Sequence, residues 1–470
     1  MQRFGILTKT QVEKVHEASL NILWKIGVDF GYPPAVEVLK KGGAKVDGER
    51  VFFPPKLVEE QIKKAPSQFT LYARNPDNNI IIGGHNMVFT PGYGAPFVTD
   101  IVNGRRRATL NDFENFVKLT GASVNQNILS GNVVEPNDIS HEIRHAQMFY
   151  TSVKYSDKCF MGSAMGKQGA KDSIRMASIL FGSEAQLAEK PRFISILGSL
   201  TPLRYDLRML GALMEYARAG QPQLISSLSI AGATGPVTLA GNLALQNAEI
   251  LAGIALAQLV REGTPVVFAG ASSNAEMRSG ALSIGSPEMA MNTAATARMA
   301  RYYKLPSRSG GAVCDAKVPD AQAAYESMMS LLMAQVSGIN FVLHTAGILD
   351  TYNCMSYEKF IVDDEMCGMV KRIKKEFKVN DDTLGLNAIK EAGPGGHFLD
   401  KDHTFEHFRE ELYQPIISDR DDFEGWHAKG SPHCMDAANK KYKEILESYE
   451  VPEFPANVDK ELLKFIESLK

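Results

Sequence analysis

Between residues 87 and 377 the chain repeats one beat: a short apolar run closes on Gly, Ser or Asn, and an amphipathic stretch follows. The apolar runs span 87–90, 128–134, 159–163, 193–198, 224–228, 266–269, 306–310 and 341–344. The stretches with helical period begin near Leu110, Ile139, Gln168, Tyr205, Thr238, Ser286, Asp320 and Ser356. Strands apolar on both faces that alternate with helices predict a parallel sheet. Eight such pairs over this span fit an α/β fold of the closed (β/α)8 type better than an open sheet. Residues 1–86 follow another rhythm. Val12, Val15, Leu20, Leu23 and Ile26 form a stripe that predicts a helix over 8–26, with Thr8 or Thr10 as N-cap and Gly27 as stop. Helices over 33–41 and 55–64 and strands over 69–72 and 80–82 complete a small α+β N-terminal unit. Residues 378–470 are more charged and predict a helical C-terminal extension, either a cap on the barrel or an arm for association between copies.

Composition narrows the class. Of 470 residues, 44% are hydrophobic and 22% charged, which excludes global disorder. The formal net charge of −3 gives no general attraction to nucleic acid or an anionic membrane. Five cysteines in a chain this long do not make a disulfide framework, so a reducing cytoplasm is the expected setting. The opening residues lack the apolar core of a signal peptide, and no run of about 18 apolar residues is read as a membrane span.

A (β/α)8 barrel carries its chemistry at the C-terminal ends of its strands. There the sequence offers hydroxyls, amides, aromatics and one or two cations, with few carboxylates. No strand-end cluster suits a two-metal hydrolase, no thiolate and imidazole set suits zinc, and no Lys suits a Schiff base. The segment His141-Glu142-Ile143-Arg144-His145 matches H-E-x-x-H, in which two histidines on one helical face bind zinc beside a general base. A zinc-dependent hydrolase is therefore one alternative, although no third ligand stands at a familiar spacing. Cys314, after Gly310-Gly311-Ala312-Val313, is read as a small buried hydrophobe rather than a nucleophile. Gly393-Pro394-Gly395-Gly396-His397 is expected to form a covering loop that brings His397 and His403 toward the barrel mouth. Arg105-Arg106-Arg107 follows an Asn103-Gly104 turn and predicts a hairpin edge, with docking of an acidic partner as the alternative.

Several segments together resemble the trimethylamine methyltransferase family, over nearly the whole chain. They include His16-Glu17-Ala18, Pro96-Phe97-Val98-Thr99-Asp100, Gly104-Arg105-Arg106, the run from Gly232 to Gly241, Gly285-Ser286-Pro287-Glu288 and, most characteristically, Asp315-Ala316-Lys317 with Asp320-Ala321-Gln322-Ala323 and Tyr325-Glu326. The family fold is a (β/α)8 barrel, in line with the independent strand count. Its archaeal trimethylamine enzymes carry pyrrolysine, and this chain is read with standard residues alone. The resemblance is therefore to the members that lack pyrrolysine and act on glycine betaine, proline betaine, carnitine or γ-butyrobetaine.

That resemblance implies methyl transfer from a quaternary amine to cob(I)alamin carried by a separate corrinoid protein, with no metal on this chain. Co(I) is a strong nucleophile and the leaving group is a neutral amine, so the enzyme need only bind and orient, with no catalytic acid or base. Aromatic faces suit the cation, and Tyr93, Phe97 and Tyr205 are the candidates. Arg308 and His344 are candidates for the carboxylate, with Asn274 as a further donor. Gly310, Gly311 and His397 are the residues expected to face the corrinoid. The chain is expected to associate with copies of itself. A non-catalytic small-solute binding protein is the alternative from another class.

Overall fold

The computed structural model describes residues 3–470. Eight parallel strands form one continuous sheet: β1 (Val88–Thr90), β2 (Ile128–Leu129), β3 (Cys159–Met161), β4 (Phe193–Gly198), β5 (Gln223–Ser227), β6 (Val266–Gly270), β7 (Ser307–Gly310) and β8 (Phe341–Leu343). Each pairs with the next in sequence from β2 to β8, and β8 pairs back onto β1. The remaining seam, between β1 and β2, is closed by one residue. Asn127 donates its backbone N–H to Phe89 O at 2.9 Å, and its side-chain Oδ1 accepts the Phe89 N–H at 2.9 Å. A side-chain amide thus completes what the strand ladder leaves open.

Each strand is followed by a helix: α1 (Leu110–Ala122), α2 (His141–Tyr155), α3 (Gly166–Phe181), α4 (Leu207–Arg218), α5 (Leu239–Val260), α6 (Pro287–Tyr302), α7 (Ala321–Ser337) and α8 (Tyr357–Lys374). Thr109, Asp206, Ser286, Asp320 and Ser356 accept N–H bonds at the starts of α1, α4, α6, α7 and α8, satisfying donors that a helix start leaves free. The α5 helix is long and apolar enough to cross a membrane by length and composition. Here it is almost wholly buried and carries the enclosed polar residues Gln246, Asn247 and Glu249. Its all-round apolarity is that of a core helix packed against strands on one side and the N-terminal helices on the other.

Alternation along the strands sends Val88, Ile128, Cys159, Ile194, Leu224, Val267 and Phe341 into the interior. The same cluster contains Phe69, Leu71, Ile80 and Ile82, from an antiparallel hairpin of Gln68–Leu71 and Ile80–Gly83. Its flanks bond the loops before β3 and β4, through Asn75 N–H to Asp157 O and Tyr72 N–H to Pro191 O. The hairpin therefore plugs the lower end of the barrel, and only the upper end is left for chemistry. The N-terminal helix (Lys9–Asn21) starts at Thr8 in a capping box with Gln11 and ends, through one wider turn, at Gly27 with φ +79°. It bonds the outer face of α5 through Ser19. At the other end of the chain, helix Cys434–Ser448 packs on α8 and α1, and helix Ala456–Glu467 on α2 and α3.

Candidate functional site

Arg308 is the second residue of β7. Its register neighbours Ala269 and Phe341 both line the interior, so its guanidinium points inward. Only 2% of Arg308 is exposed, and its Nε and Nη1 have no partner among the described residues. Burial holds its pKa down to about 10, opposed by the Tyr352 phenol. His344 follows β8 in a left-handed conformation, φ +64°, and its Nδ1 is likewise without a partner. Burial, reinforced by the Arg308 charge, pushes this imidazole well below its ordinary range, so it is neutral at pH 7. Thr90 Oγ1, Ser130 Oγ and Asn132 Oδ1, at the ends of β1 and β2, are shielded and unpaired as well. Each such atom costs about 1–3 kcal/mol, more when charged, so together these residues form the candidate site.

Tyr352 completes this group. Its ring centroid lies 4.5 Å from that of His344, at 38°. It stands on a turn in which Asp350, Thr351 and Tyr352 all have positive φ, at 52°, 52° and 74°. Non-glycine residues in that region cost about 1–3 kcal/mol each and persist only where neighbours impose them. Here Asp350 N–H bonds Ala316 O at 2.8 Å, Thr351 Oγ1 bonds Asp315 Oδ1 at 2.9 Å, and Arg105 bonds Asp350 Oδ2 at 3.1 Å. Asp315 also accepts from Ser283 Oγ and from the N–H groups of Ile284 and Gly285, which explains the Asp-Ala-Lys segment as a hub rather than a reactive group. The turn was not legible in the sequence, because none of its three residues is glycine or asparagine.

Tyr93 lies beside this group. Pro91 O accepts the His344 N–H at 3.3 Å and Gly92 N–H bonds Ala346 O at 3.0 Å; two residues on, Gly94 N–H bonds Asn132 O at 2.6 Å. Tyr93 thus bridges the end of β8 to the end of β2. Burial pushes its phenol above the ordinary range. It lines an open cavity of about 370 Å³ with Asn132, Ser163, Met165 and His145.

The other expected residues are committed elsewhere. Phe97 carries the Arg105 guanidinium 3.9 Å over its ring, so that face is not free for a substrate cation. Tyr205 is fully buried, stacked on Phe30 at 5.5 Å, and donates its hydroxyl to Glu249 O. It sits in a two-residue strand paired with Val28–Phe30, so it joins the barrel to the N-terminal unit instead of facing the mouth. Asn274 accepts from Ser286 Oγ at 2.6 Å and so steadies the cap of α6. Gly310 and Gly311 are buried, and a Cβ on Gly311 would lie 2.8 Å from Thr345 Cγ2, so close packing is what requires glycine there. His397 is exposed, with Asp400 3.5 Å away, on the segment that leaves the lower end of α8 and returns to it where Glu411 O accepts from Arg372. The covering loop over the mouth is therefore not formed by this segment.

Of the motifs weighed earlier, His145 is bonded to Asp172 at 2.8 Å, and Arg144 to Glu135 at 2.6 Å. Among the described residues, no group of three His, Cys, Asp or Glu is placed to hold a metal ion. Cys314 is buried and its thiol is pushed up to about 11, the reverse of an activated nucleophile. Arg106 is bidentate to buried Asp112 at 2.6 and 2.7 Å, and Arg107 bonds Asn137, so the basic run is spent within the fold.

Comparison with known proteins adds an independent line. The family model for trimethylamine methyltransferase (MTTB) matches residues 1–470. The chain is 51% identical to a glycine betaine methyltransferase of Desulfitobacterium hafniense, covering 99% of this chain and 97% of that protein. It is 31% identical to a proline betaine:corrinoid methyltransferase of Eubacterium limosum, covering 94% and 93%. The crystal structure of Methanosarcina barkeri monomethylamine methyltransferase superposes with a TM-score of 0.57 at 11% identity, covering 94% of this chain and 89% of that one, a likeness of fold.

Proposed function

Because the chain belongs to the trimethylamine methyltransferase family, we propose that it removes a methyl group from a betaine-type quaternary amine and passes it to a corrinoid held by a separate protein. The names of the glycine betaine and proline betaine relatives support both halves of this reading. The observation that carries it is the unpartnered pair of Arg308, which points inward from β7, and His344, which directly follows β8. A betaine carboxylate satisfies a buried guanidinium; trimethylamine has no group that does. Arg308 binds the carboxylate by charge-assisted hydrogen bonds, and neutral His344 adds a ring N–H without placing a second charge beside the first.

The corrinoid, when bound, supplies a nucleophilic cobalt that accepts the methyl group. The open cavity beside Tyr93 is the part of this chain that fits the approach of a partner-borne acceptor. Tyr93 and Tyr352 offer aromatic faces to the methylated nitrogen, each contributing about 0.5–2 kcal/mol. Holding the carboxylate fixes the far end of the molecule and points one N–CH3 bond toward the mouth, so rate comes from orientation. The test is an N-demethylation assay with the purified chain, a reduced corrinoid protein and a panel of glycine betaine, proline betaine, carnitine, γ-butyrobetaine, choline and trimethylamine. Turnover of one betaine, with choline and trimethylamine inert, is the expected result. Turnover of trimethylamine alone, or of no betaine, overturns the reading.

A further inference from the structure

Neither Arg308 Nε and Nη1 nor His344 Nδ1 has a protein partner to orient it. Arg308 is placed by the ladder of β7 with β6 and β8 and His344 by its position just after β8, and the segments that follow the two strands run on from them toward α8. Those two segments are tied by an ion pair on the inner face of α8. Lys359 and Asp363 are 1% and 0% exposed. Lys359 Nζ lies 2.9 and 2.7 Å from the two oxygens of Asp363, and donates to Ser327 Oγ at 2.8 Å and Ala312 O at 3.3 Å. Asp363 Oδ2 accepts the Gly347 N–H at 2.8 Å. Ala312 comes shortly after Arg308 in the chain, and Gly347 shortly after His344. One end of the pair therefore grips the segment beyond Arg308 and the other end the segment beyond His344.

We propose that Lys359 and Asp363 are positioning residues that set the spacing between Arg308 and His344, so that both meet one substrate carboxylate. This rests on the carboxylate reading of those two side chains. Stability alone gives little reason to keep such a pair, since replacing a buried ion pair by apolar groups of similar volume is often neutral or stabilising. Burial pushes the Asp363 carboxyl up to about 6 against the attraction of Lys359, so the pair is held against a desolvation cost. Residues of α8 also hold the His344 side of the mouth by Cys367 Sγ to Thr345 O at 3.4 Å, and Gln126 links Asp364 to Thr345 Oγ1. Among the described residues, Arg308 Nε and Nη1 and His344 Nδ1 themselves receive no such bond.

The test measures kcat and KM for glycine betaine in Lys359→Met, in the double variant Lys359→Met/Asp363→Leu, and in Arg308→Met as reference, with folding followed by circular dichroism. The double variant leaves no lone buried charge and decides the matter if the single one does not fold. We expect KM for the betaine to rise at least about tenfold, the scale of one lost charge-assisted bond, with kcat and KM for the corrinoid protein within twofold and Tm equal or higher in the double variant. A folded double variant with unchanged KM, or with only a lowered Tm, overturns the inference. If Arg308→Met raises KM and the α8 variants do not, this inference alone falls. If Arg308→Met also leaves KM unchanged, the carboxylate reading falls and this inference falls with it.

Discussion

The imidazole of His344 and the phenol of Tyr352 meet at a tilt of 38°, 4.5 Å between centroids, and both residues hold left-handed backbone conformations, φ +64° and +74°. Strain of this kind persists only where neighbours impose it, and here it places both rings beside the Arg308 guanidinium. Tyr352→Ala removes the ring that keeps His344 in place and one face for the cation. KM for the betaine is expected to rise about five- to thirtyfold, the worth of ~1–2 kcal/mol, and Tyr352→Phe to stay near wild type. A Phe variant as impaired as the Ala variant would mean that the hydroxyl, not the ring, matters.

Arg308→Met is expected to separate stability from function. The folded chain keeps an unpaired buried cation there, at about 1–3 kcal/mol or more. Removing it should raise Tm while kcat/KM for the betaine falls about 10- to 100-fold. A Tm that drops would show that the guanidinium is satisfied within the protein.

The pH dependence follows from the same burial. Binding a carboxylate requires protonated Arg308, whose pKa is held down to about 10. His344, pushed well below its ordinary range by burial, is neutral at pH 7 and above. KM should therefore be flat over pH 7–9 and climb above about 10. An inflection near 6.5 that persists in the Lys359→Met/Asp363→Leu variant would reveal a His344 that titrates like an exposed imidazole.

Tyr93→Ala should weaken substrate binding without unfolding the barrel, because the ring stands at the mouth on a segment held by backbone bonds to Ala346 and Asn132. Thermal melting and KM measured together check this; an unchanged KM removes Tyr93 from the cage.

The H-E-x-x-H segment makes an opposite prediction. His145 is engaged by Asp172, so His141→Ala and dialysis against a chelator should leave the demethylation rate unchanged. Loss of activity restored by zinc would revive the hydrolase alternative.

The barrel was legible because its signal is periodic. The fourth apolar run ends where β4 ends, and α1 starts at Leu110 as its cap at Thr109 indicates. The second run is shorter than its apolar stretch because Gly131, at φ +70°, turns the chain against Met161 after Leu129. Arg308 and His344 were legible as polar residues of the barrel interior, one within β7 and one just after β8. Phe97 and Tyr205 show the limit of such a reading: strand-end position does not say which way a ring turns, and each found a partner, Arg105 from the return strand of its own hairpin and Phe30 from a distant part of the chain. Tyr352 left no mark because its turn is imposed by tertiary bonds from Asp315 and Arg105 rather than by its own residues.

The most direct test is calorimetric titration of the chain with glycine betaine and with choline, which carries the same trimethylammonium group but no carboxylate. Recognition through Arg308 and His344 predicts glycine betaine bound at least about tenfold tighter in the wild type, and the two bound alike in Arg308→Met. Equal affinity for both in the wild type would contradict it.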